Sequence, residues 1–341
     1  MNNSRNFNSQ LNIINLVNNT LKRVFGSLFL ATILFTSCNP DDDGNSNTEN
    51  YVPDAEAFSE LKDQALGNAT QTFQFNADDG NISLTSEAGV QININGDCLT
   101  LNGNTVTGQV DLEFVELFEK GNMLTTNKPT MGQLPNGDKA LLISGGEFFV
   151  EATQNGNQLE TNCGLQLIIP TNLTGDPDPV MTLWEGEIDN EDLLTWNEID
   201  PAVNNEDVFV EENSYYAFLD FGWTNVDRFY SDPRPKTQIQ VQPPANYTNL
   251  NSAVYLSYDG EAPALANLDT FDNNTNIFSE HYGQIPIGLE CHVIFVTEDN
   301  GVWRYAIKPV TIVANHIITF TLGETNTGTE NSLTALINAL P

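Results

Sequence analysis

The chain has 341 residues, with 46 acidic side chains against 12 Lys and Arg, a formal charge of -34 at neutral pH, 40% hydrophobic content and four cysteines. Nucleic-acid binding runs on counterion release by cationic side chains, so a chain this acidic excludes nucleic acid as a partner, and anionic lipid surfaces repel its folded part as well. The apolar content is enough for a core, and a length of this order usually divides into two domains.

The N-terminal residues carry the most specific signal. Lys22 and Arg23 form a positive flank before Val24 to Phe35 (VFGSLFLATILF), an apolar run too short to span a bilayer, which needs about 20 such residues. It reads as the h-region of a signal peptide covering residues 1–37. The run ends in Phe35-Thr36-Ser37-Cys38, which resembles the lipobox of bacterial lipoproteins. The resemblance implies that Cys38 receives a diacylglycerol and, after cleavage, becomes the acylated first residue; the alternative is a secretory signal with an incidental cysteine. Several acyl chains, each gaining about 0.8 kcal/mol per buried CH₂, hold a protein on a membrane far more firmly than one myristoyl group.

Residues 38–54 lack the apolar content to fold alone and read as a flexible tether. Asp41, Asp42 and Asp43 directly behind the cysteine resemble the surface-export signal of Bacteroidetes lipoproteins, which implies an outer-membrane, surface-exposed location. Without that signal the segment is a solvated spacer on a periplasm-facing lipoprotein.

From residue 55 the pattern is β. Ala55 to Leu66 predicts a short helix, after which Phe73/Phe75, Val90/Ile92/Ile94, Val110/Leu112/Phe114, Phe148/Val150 and Leu165/Leu167/Ile169 alternate with period two and form a predicted first core. Ile239/Val241, Val254/Leu256, Val293/Phe295 and Ile318/Phe320/Leu322 predict a second. Asp79-Gly80, Asn95-Gly96, Asn102-Gly103, Asn136-Gly137, Asn155-Gly156, Asp259-Gly260 and Asn300-Gly301 are the turn signals between strands, because Asn, Asp and Gly accept positive φ cheaply. Asn331 to Leu340 places Leu333, Leu336, Ile337 and Leu340 on one helical face, suited to cap a sheet end or to dock a partner. The expectation is an all-β protein of two sandwich-like domains, residues 55–235 and 236–341, with short helices near each end.

The stretches Gly80 to Leu84, Gly89 to Ile94 and Val106 to Leu112 resemble the strand order of the ZU-type β domain of netrin receptors and ankyrins. The continuation through Met123 to Met131, Leu142 to Phe149, Ala152 to Gly156 and Phe221 to Phe229 resembles an uncharacterised family of Bacteroidetes surface lipoproteins. Together they span about residues 70–235, and they imply a β fold acting as an interaction or structural module, with no catalytic residues to carry over.

With Cys38 assigned to lipid, Cys98, Cys163 and Cys291 remain, and only one intramolecular bridge can form. Cys98 with Cys163 is the favoured pair; the alternative is three reduced, buried thiols. Cys291 precedes His292, yet adjacent strand residues point to opposite faces, which opposes a nucleophile and base pair. His281, His292 and His316 show no metal-ligand spacing, and no nucleophile elbow or phosphate loop is present.

Asp176, Asp178, Glu185, Glu187, Asp189, Glu191, Asp192, Glu198 and Asp200 crowd a predicted hairpin with Trp184 and Trp196 on its arms. Hard oxygens in this density can hold calcium, and paired carboxylates beside an aromatic can cleave a glycosidic bond. The preferred reading is a solvated acidic face with the tryptophans packed inside. Trp184, Trp196, Trp223 and Trp303, with Tyr255, Tyr258 and Tyr305, are candidate sugar-stacking aromatics, against the ordinary role of strand-face packing. The functional expectation is a lipid-anchored, non-enzymatic interaction or structural module contacting an unknown protein or glycan. A glycan-binding accessory lipoprotein of a polysaccharide uptake system is the alternative.

Overall fold

The computed structural model describes residues 51–189, 193–203 and 206–341, with His281 described by its backbone alone. The signal peptide, Phe35, Thr36, Ser37, Cys38 and Asp41 to Asp43 lie outside the described residues, as do Glu191 and Asp192. Among the described residues strands dominate and the fold is all-β, with three short helices.

Period-two alternation builds two sandwiches. In the first, one sheet runs in the order Thr70–Asn76, Gln109–Leu117, Lys139–Gln154, Gly222–Phe229, Thr182–Ile188, Leu194–Glu198, Met131–Gln133. Its partner sheet runs Asp207–Glu211, Ser214–Leu219, Leu165–Pro170, Gln91–Asn95, Asn81–Thr85. Val110, Leu112, Phe114, Phe148 and Val150 of the former meet Ile92, Ile94, Leu165, Leu167 and Ile169 of the latter. The second sandwich sets Thr270–Asp272, Ile277–Pro286, Lys236–Gln242 and His316–Thr319 against Ala266–Asn267, Ser252–Tyr258, Glu290–Asp299, Val302–Thr311 and Asn326–Gly328. Ile239, Val241, Val254, Leu256, Val293, Phe295, Ile318 and Phe320 fill it. Phe73 and Leu322, expected in the cores, are half-buried at their margins.

A third cluster draws on the opposite faces of both large sheets, and in it Trp223 takes the place expected from the sequence, between the two sandwiches. Val115, Leu117, Trp184, Trp196 and Trp223 of the first sandwich join Tyr255, Ile294, Val296 and Trp303 of the second. The three helices contribute to the same layer. The first helix, α1 (Ala55–Ala69), is capped by Asp54, whose side chain accepts from the Ala57 amide, and buries Phe58, Leu61 and Ala65. It runs three residues past the expected Leu66 before Thr70 opens the first strand.

The second helix, α2 (Lys120–Thr125), was not expected, since its six residues are too few for a readable period; Met123 and Leu124 are buried in the shared layer. The third, α3 (Glu330–Asn338), begins and ends slightly earlier than expected and seats Leu333 and Ile337 there too. Gly121 lets α2 and α3 touch, because a Cβ at that position would stand 2.5 Å from the Thr334 carbonyl.

The strand Lys139–Gln154 serves both sandwiches. Leu141 and Ile143 pack in the second core, whereas Phe148, Val150 and Ala152 pack in the first. The switch from odd to even positions requires one extra residue, and a bulge supplies it: Asn225 faces Glu147 while Asp227 faces Ser144. Gly146 sits in that bulge at φ 131.

Most turn signals act as expected. In Asn102-Gly103, Asn155-Gly156 and Asn300-Gly301 both residues have positive φ, as two-residue hairpins demand. Asn95-Gly96 is different. Gly96 opens a 3₁₀ turn without positive φ, and a Cβ there would meet the Ala77 carbonyl oxygen at 2.2 Å, so close backbone approach is what requires glycine.

Candidate functional site

A concavity lies on the first sandwich, where the C-terminal end of α1, the strand Thr70–Asn76, the turn after Asn81–Thr85 and the start of α2 converge. The cleft holds about 890 Å³, in the range of small-ligand sites. Asn68, Gln71 and Asn122 offer side-chain amides, Phe73 and Phe118 offer ring surface, and among the described residues the charged lining consists of Glu87, Glu116 and Glu119.

Its wall is fixed by one carboxylate. Glu116 Oε1 accepts from Gln71 Nε2 at 2.8 Å and from the Ala88 amide at 2.9 Å, and its Oε2 accepts from Ser86 Oγ at 2.7 Å. Gln71 Oε1 in turn accepts from the Glu87 amide at 2.8 Å. Glu119 Oε2 accepts from Asn338 Nδ2 of α3 at 2.6 Å. The acids therefore pin strand ends and a helix, and the arrangement presents hydrogen-bonding groups with no cation.

A second polar centre lies inside the shared layer. Ser144, Glu147, Asn225 and Asp227 are each 0% exposed, and the bulge brings all four side chains to the face that also carries Trp223. Ser144 Oγ donates to Asn225 Oδ1 at 2.9 Å, and Asn225 Nδ2 donates to Asp227 Oδ2 at 2.6 Å. Burial first, then the neighbouring Asp227, push the Glu147 carboxyl well above the usual range, while Lys128 pulls it down. Lys128 is itself buried, with Nζ 5.4 Å from the Trp223 ring centre. The sequence held this signal only as the runs SGGEFF and GWTNVDRF; neither reveals that their polar residues converge.

No protein-family model matches the chain, and no curated protein matches it.

The four candidate tryptophans take the packing role preferred from the sequence, which corrects their alternative reading as sugar-stacking aromatics. Trp184, Trp196, Trp223 and Trp303 are 1%, 0%, 7% and 2% exposed, all within the shared layer. Trp184 Nε1 donates to the Asp227 carbonyl and Trp196 Nε1 to the Pro129 carbonyl, both at 3.0 Å. Gly186 clears the space, since a Cβ there would meet both the Trp196 ring and Trp223 Cβ at 2.7 Å. Tyr255 and Tyr258 are buried as well. The exposed aromatic surface is elsewhere: Phe209 stacks on Tyr216 at 5.3 Å and on Phe218 at 6.1 Å, on the solvent face of the first sandwich.

Cys98 and Cys163 are joined by a disulfide between the Gly96–Cys98 turn and the loop before Leu165. Cys291 is buried in the second core, where burial pushes its thiol up to about 12, and His292 Nδ1 lies 2.8 Å from Asp259 Oδ1. Such a thiol is a poor nucleophile.

The hairpin acids scatter into separate tasks. Asp178 pairs with Arg228 at 2.6 Å, Asp189 accepts from the Leu193 amide and Asp200 from the Ala202 amide. Burial raises Glu185 first, followed by repulsion from Glu187 and from Asp220, and burial raises Glu206 first, followed by repulsion from Asp220 and Glu185; Asp220 and Glu206 were not singled out from the sequence. Among the described residues no group of three or more His, Cys, Asp or Glu is placed to hold a metal ion, so calcium gains no support from this hairpin.

Proposed function

We propose that the protein is an outer-membrane lipoprotein, anchored through Cys38 and working outside the cell as a non-enzymatic interaction module. The anchoring is supported by the apolar run Val24 to Phe35 ending at Phe35-Thr36-Ser37-Cys38, and by the acidic tether that follows. Nothing in this reading depends on catalysis: the disulfide and the close-packed sandwiches make a rigid platform suited to an exposed location. Replacing Cys38 with Ala should move the protein from the membrane fraction to the soluble one. Unchanged membrane retention of that variant would refute the anchor.

The alternative, glycan binding, is favoured by one observation: the cleft of about 890 Å³ offers amides, hydroxyls and the rings of Phe73 and Phe118 with acids but no cation along its wall. Such a lining suits neutral, hydroxyl-rich ligands and repels uronic or sulfated ones. An array of neutral and acidic oligosaccharides, probed with the chain from about residue 50, tests it. Binding confined to neutral sugars and weakened at least tenfold by Phe73→Ala supports glycan recognition, whereas silence across the array removes it.

A further inference from the structure

The centre around Glu147 contains more negative charge and more unpartnered oxygen than the protein around it compensates. Asp227 is held by Asn225 through Oδ2 and takes further hydrogen bonds from Ser144 and the Gly145 amide, but among the described residues both oxygens of Glu147 meet no protein donor, although both residues are 0% exposed. Buried carboxylate oxygens are rarely left in this state, because each has lost its water without a replacement.

The charges can be counted. Burial raises both carboxyls, so both stay ionised only beside added positive charge; when both are ionised they carry two negative charges against Lys128, the cation acting on Glu147, and one is left over. A proton on Glu147 would cancel that charge but would sit on only one of its two bare oxygens. A metal ion with an oxygen shell cancels the charge and satisfies several oxygens together. The available donors are carboxylate, amide and hydroxyl oxygens, with no imidazole or thiolate, which selects a hard cation. One missing positive charge selects a monovalent one, because a divalent ion would leave an excess positive charge in the same sealed space.

We propose that Glu147 and Asp227, with the neighbouring Ser144 and Asn225 oxygens, bind one sodium-class cation in the layer joining the two sandwiches. The ion then acts as an internal fastener, bound to the folded protein and released on unfolding, so it stabilises by mass action. The Ser144-Gly145-Gly146-Glu147 bulge has a task in this arrangement: without its extra residue Ser144 and Glu147 would fall on opposite faces of the strand.

The test uses the full-length mature protein in detergent, unfolded by heat and followed by tryptophan fluorescence. Sodium chloride is exchanged for choline chloride at constant ionic strength, choline being too large for the site. The expected result is a midpoint that rises by about 2 °C for each tenfold increase in sodium once the site is near saturation. Glu147→Gln should abolish that dependence, and Asp227→Asn serves if the first variant does not fold. Equal midpoints in sodium and choline overturn the proposal, and so does a response to calcium alone. Because the measurement reads unfolding in a single protein, it stands apart from the anchoring and glycan tests.

Discussion

The interiors of the two sandwiches and the layer between them are built on different rules. Each interior is almost wholly aliphatic and aromatic, filled by alternate residues of facing sheets. The shared layer mixes four tryptophans and the helix faces with buried Lys120, Lys128, Glu147, Asn225 and Asp227. Apolar interiors tolerate many arrangements of similar volume, whereas a buried polar group demands its partner at a set distance. The contrast assigns bulk stability to the interiors and the fixed docking of one sandwich on the other to the layer.

The largest effect expected from this contrast is in an interior. Phe114 pairs across from Val150 and stacks on Phe148 at 6.1 Å, so Phe114→Ala should cost about 3–5 kcal/mol in denaturant unfolding. In the shared layer, Trp196→Phe keeps most of the ring volume and loses the bond to the Pro129 carbonyl, with an expected cost of about 1–3 kcal/mol. If the layer variant proves costlier than the interior one, the assignment of bulk stability to the interiors fails.

Glu280 sharpens the comparison because it is a carboxylate on the inner side of the second sandwich, beside Phe278 and opposite Ile239. Unlike Glu147 it has donors, the amides of Tyr282, Gly283 and Gln284 in its own turn, yet burial outweighs them and raises it to about 7. A carboxyl raised on folding contributes stability that is complete below its unfolded value of about 4.5 and is lost as pH climbs through about 7. Stability should therefore fall by on the order of 2 kcal/mol between about pH 5 and pH 8, and Glu280→Gln should flatten that part of the profile. Identical pH profiles for the two proteins would show that Glu280 titrates normally.

The smallest effect lies at the edge of the shared layer. Asp54 accepts from the Ala57 amide at the start of α1, so Asp54→Ala should cost about 1 kcal/mol. Hydrogen exchange should show the loss confined to the first turn of α1.

Much of this architecture was written locally. Alternation at Val110/Leu112/Phe114 or Ile239/Val241 identifies the inward face of a strand because side chains reverse at every residue, and Asn-Gly pairs mark hairpins because few other residues accept positive φ at both positions. The third cluster had a weaker trace: Val293 to Val296 and Phe114-Val115 are continuous apolar runs, the mark of strands buried on both faces. The tryptophans were visible as residues, but whether a large aromatic packs or faces solvent depends on what covers it.

The sequence by itself determined the acidity, the all-β class and the two interior cores, since each follows from composition or from neighbours within a strand. Only the tertiary structure decided the layer between the sandwiches, the cleft beside Glu116 and the convergence of Ser144, Glu147, Asn225 and Asp227. Those features join strands far apart in the chain, and the bulge that aligns the last of them shifts a register by one residue. A local pattern cannot encode which distant strand will lie alongside.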